Sequence, residues 1–291
     1  MIVFKQLCVL VFCIVLGSVA LAEEKTSDLD SAPQQFEGFN LQGYTEGGNK
    51  AWDVSGDTAD ILGNLIKLTN IDANMYGETP ANLKAKRGTI NKESNNIFLE
   101  RDVVIVSDAG DKMVTDTLNW DRANDLVTTK DEVTITNEKL KANGIGMTAH
   151  PNLKLAQLNE DVTVHFKQVE STAEPGTEEV VITSDGPLEI DQAKNIATFN
   201  DNVVAIQPGR QLKADKMEIF FDPATKKIRE LVCTGHVEVT QEGNKSFSDR
   251  AVYTAADKKV VLSGRPKLML ISGDKDGGGG FDMLQQMGSK E

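Results

Sequence analysis

Asn159-Glu160-Asp161-Val162-Thr163-Val164-His165-Phe166 decides the fold. An acidic lead runs into strict alternation, with Val162, Val164 and Phe166 on one face and Thr163 and His165 on the other. That is the pattern of a half-buried strand. The same phrase recurs as Arg101-Asp102-Val103-Val104-Ile105, Asp131-Glu132-Val133-Thr134-Ile135 and Asp201-Asn202-Val203-Val204. Gly235-His236-Val237-Glu238-Val239 and Arg265-Pro266-Lys267-Leu268 continue it. Counted from Val103, the steps are 30, 29, 41, 34 and 31 residues. The long step holds an acidic insert, Val169–Glu179, and without its 11 residues it shortens to 30. Repetition at such a period means stacked supersecondary units that bury one continuous core together.

Between these phrases lies a second strand per repeat. Asp116–Trp120 and Asn137–Gly144 supply it in the first half, and Leu188–Ile190, Met217–Phe221 and Ala251–Tyr253 in the second. Asn91–Asn96, Asp121–Asn124 and Asp222-Pro223-Ala224-Thr225 are turns by composition, Pro223 suiting the second turn position. The acidic residues that open each phrase read as turn starts, where Asp caps the turn and blunts an edge. Upstream, Phe36–Ile71 opens the fold, with a bend or turn at Gly56-Asp57. A slip in alternation predicts a bulge between Leu68 and Ile71. No segment keeps helical periodicity over ten residues. The fold is all-β, in two stacked blocks of antiparallel strands, residues 36–168 and 178–272.

The N-terminus carries a secretory signature. Lys5 is the only charge before Glu23, Leu7–Leu16 is apolar, and Ala20-Leu21-Ala22 is a small-x-small site. The expectation is a signal peptide over residues 1–22, cleaved after Ala22. A retained inner-membrane anchor is the other reading, since Gln6–Ala22 gives 17 uncharged residues. Glu23–Gln35 reads as a polar lead-in. Residues 273–291 read as a flexible Gly-rich tail, in which Phe281–Met287 reads as a disordered end, with docking onto a partner as the other reading.

Two of three cysteines fall in the leader, so Cys233 has no partner and reads as a small core hydrophobe. Beyond the leader, 30 basic groups face 44 acidic ones. That balance argues against nucleic acid, which demands clustered Lys and Arg, and against attraction to anionic head groups. His150, His165 and His236 lack neighbours at ligand spacing. No nucleophile elbow or Cys/His signature is present, and no cofactor is implied. Nothing in the residues points to an enzyme.

The chain does supply an apolar face repeated through its strands. Alternation turns Val133, Ile135, Val162, Val164 and Phe166 inward in the first block. It does the same for Met217, Ile219, Phe221, Val237 and Val239 in the second. Val203 and Val204 fit either register. A smooth aliphatic interior suits acyl chains, and these ten residues are the candidate lipid-binding set. An ordinary packed core is the plain alternative.

The first block resembles the LptC family, the periplasmic bridge protein of lipopolysaccharide export. Trp52-x-Val54-x-Gly56-x-x-Ala59, Ile66-x-Leu68-x-Asn70-Ile71 and Leu83-x-Ala85-x-x-Gly88 carry the likeness. So do Ile97-x-Leu99-x-x-Asp102-Val103 and Leu140-x-Ala142-x-Gly144. The second block is similar to the LptA/OstA domain through Ile182-x-Ser184-Asp185-Gly186-Pro187-Leu188 and Phe199-x-Asp201-Asn202-Val203. Leu212-x-Ala214-Asp215-Lys216 and Val261-Leu262-Ser263-Gly264 extend it. The resemblance implies an open, V-shaped β-jellyroll that stacks end to end with other β-jellyroll bridge proteins. Its groove would shield lipid A acyl chains of lipopolysaccharide, fed by an inner-membrane ABC transporter complex. Joining both block types in one polypeptide departs from the usual bridge protein. The competing function is a structural or adhesive secreted β-repeat protein with a closed core. Edge strands that template pairing are expected at Trp52–Ile61 and Val260–Ile271.

Overall fold

A computed structural model describes residues 34–271 except positions 46, 78–79, 139, 168–178, 226 and 258. The expected signal peptide, most of the lead-in, the acidic insert up to position 178 and the tail lie outside the described residues. Gln34 and Gln35, assigned above to the lead-in, already belong to the first strand.

The strands run in one antiparallel meander. They are β1 (Gln34–Tyr44), β2 (Lys50–Leu62), β3 (Leu65–Met75), β4 (Ala81–Asn91), β5 (Ile97–Ser107) and β6 (Lys112–Asp121). Next come β7 (Leu126–Thr136), β8 (Leu140–His150), β9 (Leu155–Lys167), β10 (Glu179–Ser184), β11 (Leu188–Asp191) and β12 (Ile196–Gln207). The last are β13 (Arg210–Phe221), β14 (Ile228–Gln241), β15 (Asn244–Thr254), β16 (Lys259–Ser263) and β17 (Lys267–Met269). β10 and β11 lie end to end, each paired with β9 on one side and β12 on the other. The ladder therefore passes from the first block into the second without a break. β16 and β17 share β15 in the same way. Among the described residues there is no α-helix, only a short 3₁₀ turn at Pro151–Leu153.

The acidic phrase openings are not turns. They lie inside continuous strands, where the ladder slips. Register shifts fall at Lys84/Arg87, Glu100/Val103, Val114/Asn119, Thr129/Glu132 and Asn143/Ile145 across β4–β9. They fall again at Asn200/Val203, Lys213/Lys216 and Thr234/Val237 across β12–β15. Arg101, Asp102, Asp161, Asp201, Asn202 and His236 sit there with left-handed φ between 43° and 63°. Asp and Asn tolerate that conformation in a bulge as they do in a turn, so composition alone does not separate the two. Gly56-Asp57 continues the line as a bend within β2. Asn70, left-handed at φ 46°, marks the predicted slip between Leu68 and Ile71.

Because the shifts lie side by side, they form a crease across the sheet. Asp185-Gly186-Pro187 and Gly264-Arg265-Pro266 are its two complete interruptions, separating β10 from β11 and β16 from β17. A bulge bends its strand and sharpens its twist. The inward face is nonetheless buried in one core cluster from Phe39 in β1 to Ala251 in β15. With one sheet and, among the described residues, no α-helix to cover it, that face is buried by the sheet folding over on itself at the crease. The result has the two facing arms of a β-jellyroll.

β2 is paired on both sides, so the expected edge at Trp52–Ile61 is wrong. β1 is the edge. Alternation hid it because Phe36 and Phe39 are three residues apart, with Gly38 at φ 64° between them. The Phe39 ring lies over Gly56: a Cβ there would come within 2.6 Å of both Phe39 Cε1 and the Thr69 carbonyl oxygen. Gly56→Ala is therefore expected to cost about 1–3 kcal/mol by overpacking. Amide exchange in β1 should rise first, and unchanged protection would refute this packing role.

Candidate functional site

The ten inward residues fall on both arms. Val133, Ile135, Val162, Val164, Phe166, Val237 and Val239 lie on the arm that ends the odd-numbered long strands β7 and β9 and the return strand β14. Met217, Ile219 and Phe221 lie beyond the crease of β13, on the facing arm. Eight are buried; Phe166 and Val239 are half-buried and pack against the same cluster. Val203 is fully buried, which settles the register left open at Val203-Val204.

Between the arms near the block junction lies a narrow apolar gap. Met113 and Ile135 face Met147, Leu158 and Ile190 across it, with Ala156 and Gln157 at its side. The residues come from opposite sides of the crease, which locates the interior space at the meeting of the arms. Its free volume is about 10 Å³, near the smallest that admits one water. The arms are closed here on their own side chains. Alternation could name the inward face but carried no information on the distance between arms.

Titratable groups have structural partners. Burial pushes the Cys233 thiol up to about 12, so it stays protonated among core side chains. His236 sits at the crease beside Asp215, its Nδ1 2.8 Å from the carboxylate, and that hydrogen bond holds its pKa above the ordinary value. His150 Nδ1 lies 3.1 Å from the Asp125 carbonyl. Asp111, in the turn between β5 and β6, is one of two buried carboxylates, with Asp53, that sequence reasoning missed. Burial raises its pKa, against hydrogen bonds from Asn137 and Ser107. It ties that turn to the one between β7 and β8. Among the described residues, no three His, Cys, Asp or Glu side chains gather to hold a metal ion.

Near the β1 edge, Asp53 is a buried anchor. Asn74 Nδ2 donates to it at 2.9 Å, Lys50 pairs with it, and the Tyr76 hydroxyl donates at 2.7 Å. The Asn74 bond leads in holding its pKa down, from 3.8 to about 2. A depressed carboxyl stabilises the fold fully above the unfolded pKa, and that stabilisation is lost as pH falls through about 2. Asp53→Asn should abolish this part of the acid dependence of stability. An acid-unfolding curve that keeps its shape in the variant would contradict the anchor.

Two family descriptions match the chain in succession. "Lipopolysaccharide-assembly, LptC-related" matches residues 6–167, more than half of the chain. "LptA/(LptD N-terminal domain) LPS transport protein" matches residues 181–281. The first match ends on the last residue of β9 and the second begins in β10, where the ladder passes between the blocks. Among curated proteins, the chain is similar to LPS-assembly protein LptD of Coxiella burnetii (strain RSA 493 / Nine Mile phase I). The two are 29% identical over 88 residues, 30% of this chain and 10% of that protein, so the chain spans about a tenth of that relative's length. Its creased sheet and the reach of the first match agree: the chain belongs to the LptC-related family of lipopolysaccharide-assembly proteins.

Proposed function

We propose that the chain is a non-enzymatic bridge protein in lipopolysaccharide transport, working in the periplasm between an inner-membrane ABC transporter complex and the outer membrane. The observation that carries this reading is the succession of an LptC-related and an LptA/LptD-type match along one continuous, apolar-lined sheet. Each block, 36–168 and 178–272, supplies half of a common interior. Lipid A acyl chains would lie against Val133, Ile135, Val162, Val164 and Phe166, then against Met217, Ile219, Phe221, Val237 and Val239. Phe166 and Val239, half-buried, would be met first.

The closed gap sets a condition. An acyl chain needs far more than the space of one water, so at this gap the arms would have to part about the crease to admit it. The line of bulges supports that motion, because strands are already bent and their ladders already interrupted there. Other jellyroll proteins would pair at the ends of the sheet, through β1 and β16–β17. Mass spectrometry of lipid co-purifying with the protein from lipopolysaccharide-producing cells tests the reading. Lipid A-type species are expected. A preparation free of lipid would favour the closed-core structural protein.

A further inference from the structure

The far end of the sheet is uncovered. Through the middle of the sheet the inward face is buried by the opposite arm, but at the ends it is not: β1 leaves Phe36 and Leu41 exposed, and β16 and β17 have a strand neighbour on one side only among the described residues. Leu268, Met269, Leu270 and Ile271 are four consecutive apolar residues, and all are exposed, from 57% to 69%. Successive strand residues point to opposite faces. In β17 Leu268 lies opposite Ser246, in line with the inward Val239, so it faces inward, and it is 68% exposed. Val260 and Val261, on the facing arm, are exposed as well. The open end thus combines an unpaired edge with an apolar mouth between the last strands of the two arms.

The chain carries material of matching chemistry just beyond this end. Nine residues, 272–280, separate Ile271 from Phe281-Asp282-Met283-Leu284-Gln285-Gln286-Met287. A Gly-rich stretch of that length spans roughly 17 Å. Facing sheets lie about 10 Å apart and neighbouring strands about 5 Å. The segment can therefore reach either arm at the mouth. Phe281, Met283, Leu284 and Met287 supply apolar cover. Asp274, Asp276 and Asp282, with Lys275 among them, would bring net acidic charge toward an edge where Lys259 and Lys267 are exposed and Arg265 lies 3.6 Å from Asp249, in a chain of net charge −13. A segment tethered so closely acts at an effective concentration of about a millimolar, well above that of a partner in free solution.

We propose that residues 281–287 of the same chain cover the open end formed by β16 and β17, and that an incoming strand must displace them to pair there. The tail is then a built-in competitor that sets when this end of the sheet accepts a neighbour. The inference rests on the exposed end and the tether, not on lipid, and a chain that bound no lipid would still show it.

A photo-reactive benzoylphenylalanine in place of Phe281, in the full chain, tests the occupant. An equal mixture of ordinary and ¹⁵N-labelled protein is irradiated and the joined peptides are identified by mass spectrometry. Crosslinks from position 281 to residues 259–271 within one isotopic species are expected, at a yield unchanged by dilution. Mixed-isotope pairs would assign the mouth to a second copy and overturn the proposal, as would scattered or missing crosslinks. In a second arm, Met283→Glu with Leu284→Glu should raise amide exchange over 259–269 about tenfold, as local protection is lost. Unchanged exchange would also overturn it.

Discussion

Phe199→Ala lowers the unfolding free energy by about 3–5 kcal/mol, the cost of a large cavity in a core that relaxes only in part. Phe199 is 1% exposed and the largest of the fully buried side chains. It lies in β12 opposite Leu188 of β11 and Met217 of β13, so its ring joins the interrupted strand pair to the long hairpin that follows. Urea denaturation of wild type and variant measures the loss. A change below about 1 kcal/mol would mean that the second block's interior is not the packed core described above.

Ile219→Asp has a comparable effect by a different route. Ile219 is 2% exposed, between Ala197 and Leu231 on neighbouring strands. With the arms closed, a carboxylate there is removed from water without a partner, at a cost of several kcal/mol even after relaxation. Had the interior stood open, water would have solvated the charge, and the variant would fold while losing only its ligand. The closed arms predict that folding suffers first. Glu218→Lys is the control. Glu218 points outward beside Lys216, 2.8 Å away, and a half-exposed pair of that kind contributes about 1 kcal/mol. Thermal unfolding should separate the two variants clearly, and equal stability would contradict the closed state.

Much of this fold is legible in the sequence because the side-chain period of a strand is two. Val162 and Val164, or Met217 and Ile219, declare their face by alternation and are buried as they declare. The hairpin turns at Asn91–Asn96, Asp121–Asn124 and Asp222–Thr225 announce themselves through Asn, Asp and Pro. The crease does not. Asp161 and Asp201 sit in the left-handed region inside strands, and a residue chosen for that conformation looks the same in a bulge as in a turn. The β1 edge is hidden for a related reason, since Gly38 breaks its alternation. The spacing of the arms leaves no trace in periodicity at all, because it depends on contacts between residues far apart in the chain. The candidate site is therefore legible as a list of inward residues, but not as a closed gap.

Capture of lipid by position tests the central claim most directly. Benzoylphenylalanine replaces Phe166, at the half-buried margin of the inward face, or Phe98, on the exposed outer face of β5. Both substitutions exchange one aromatic ring for a larger one, and the variants are irradiated in cells exporting lipopolysaccharide. The account predicts lipopolysaccharide joined to position 166 and none above background at position 98. Equal capture at both positions, or capture at Phe98 alone, would contradict an interior path for the lipid.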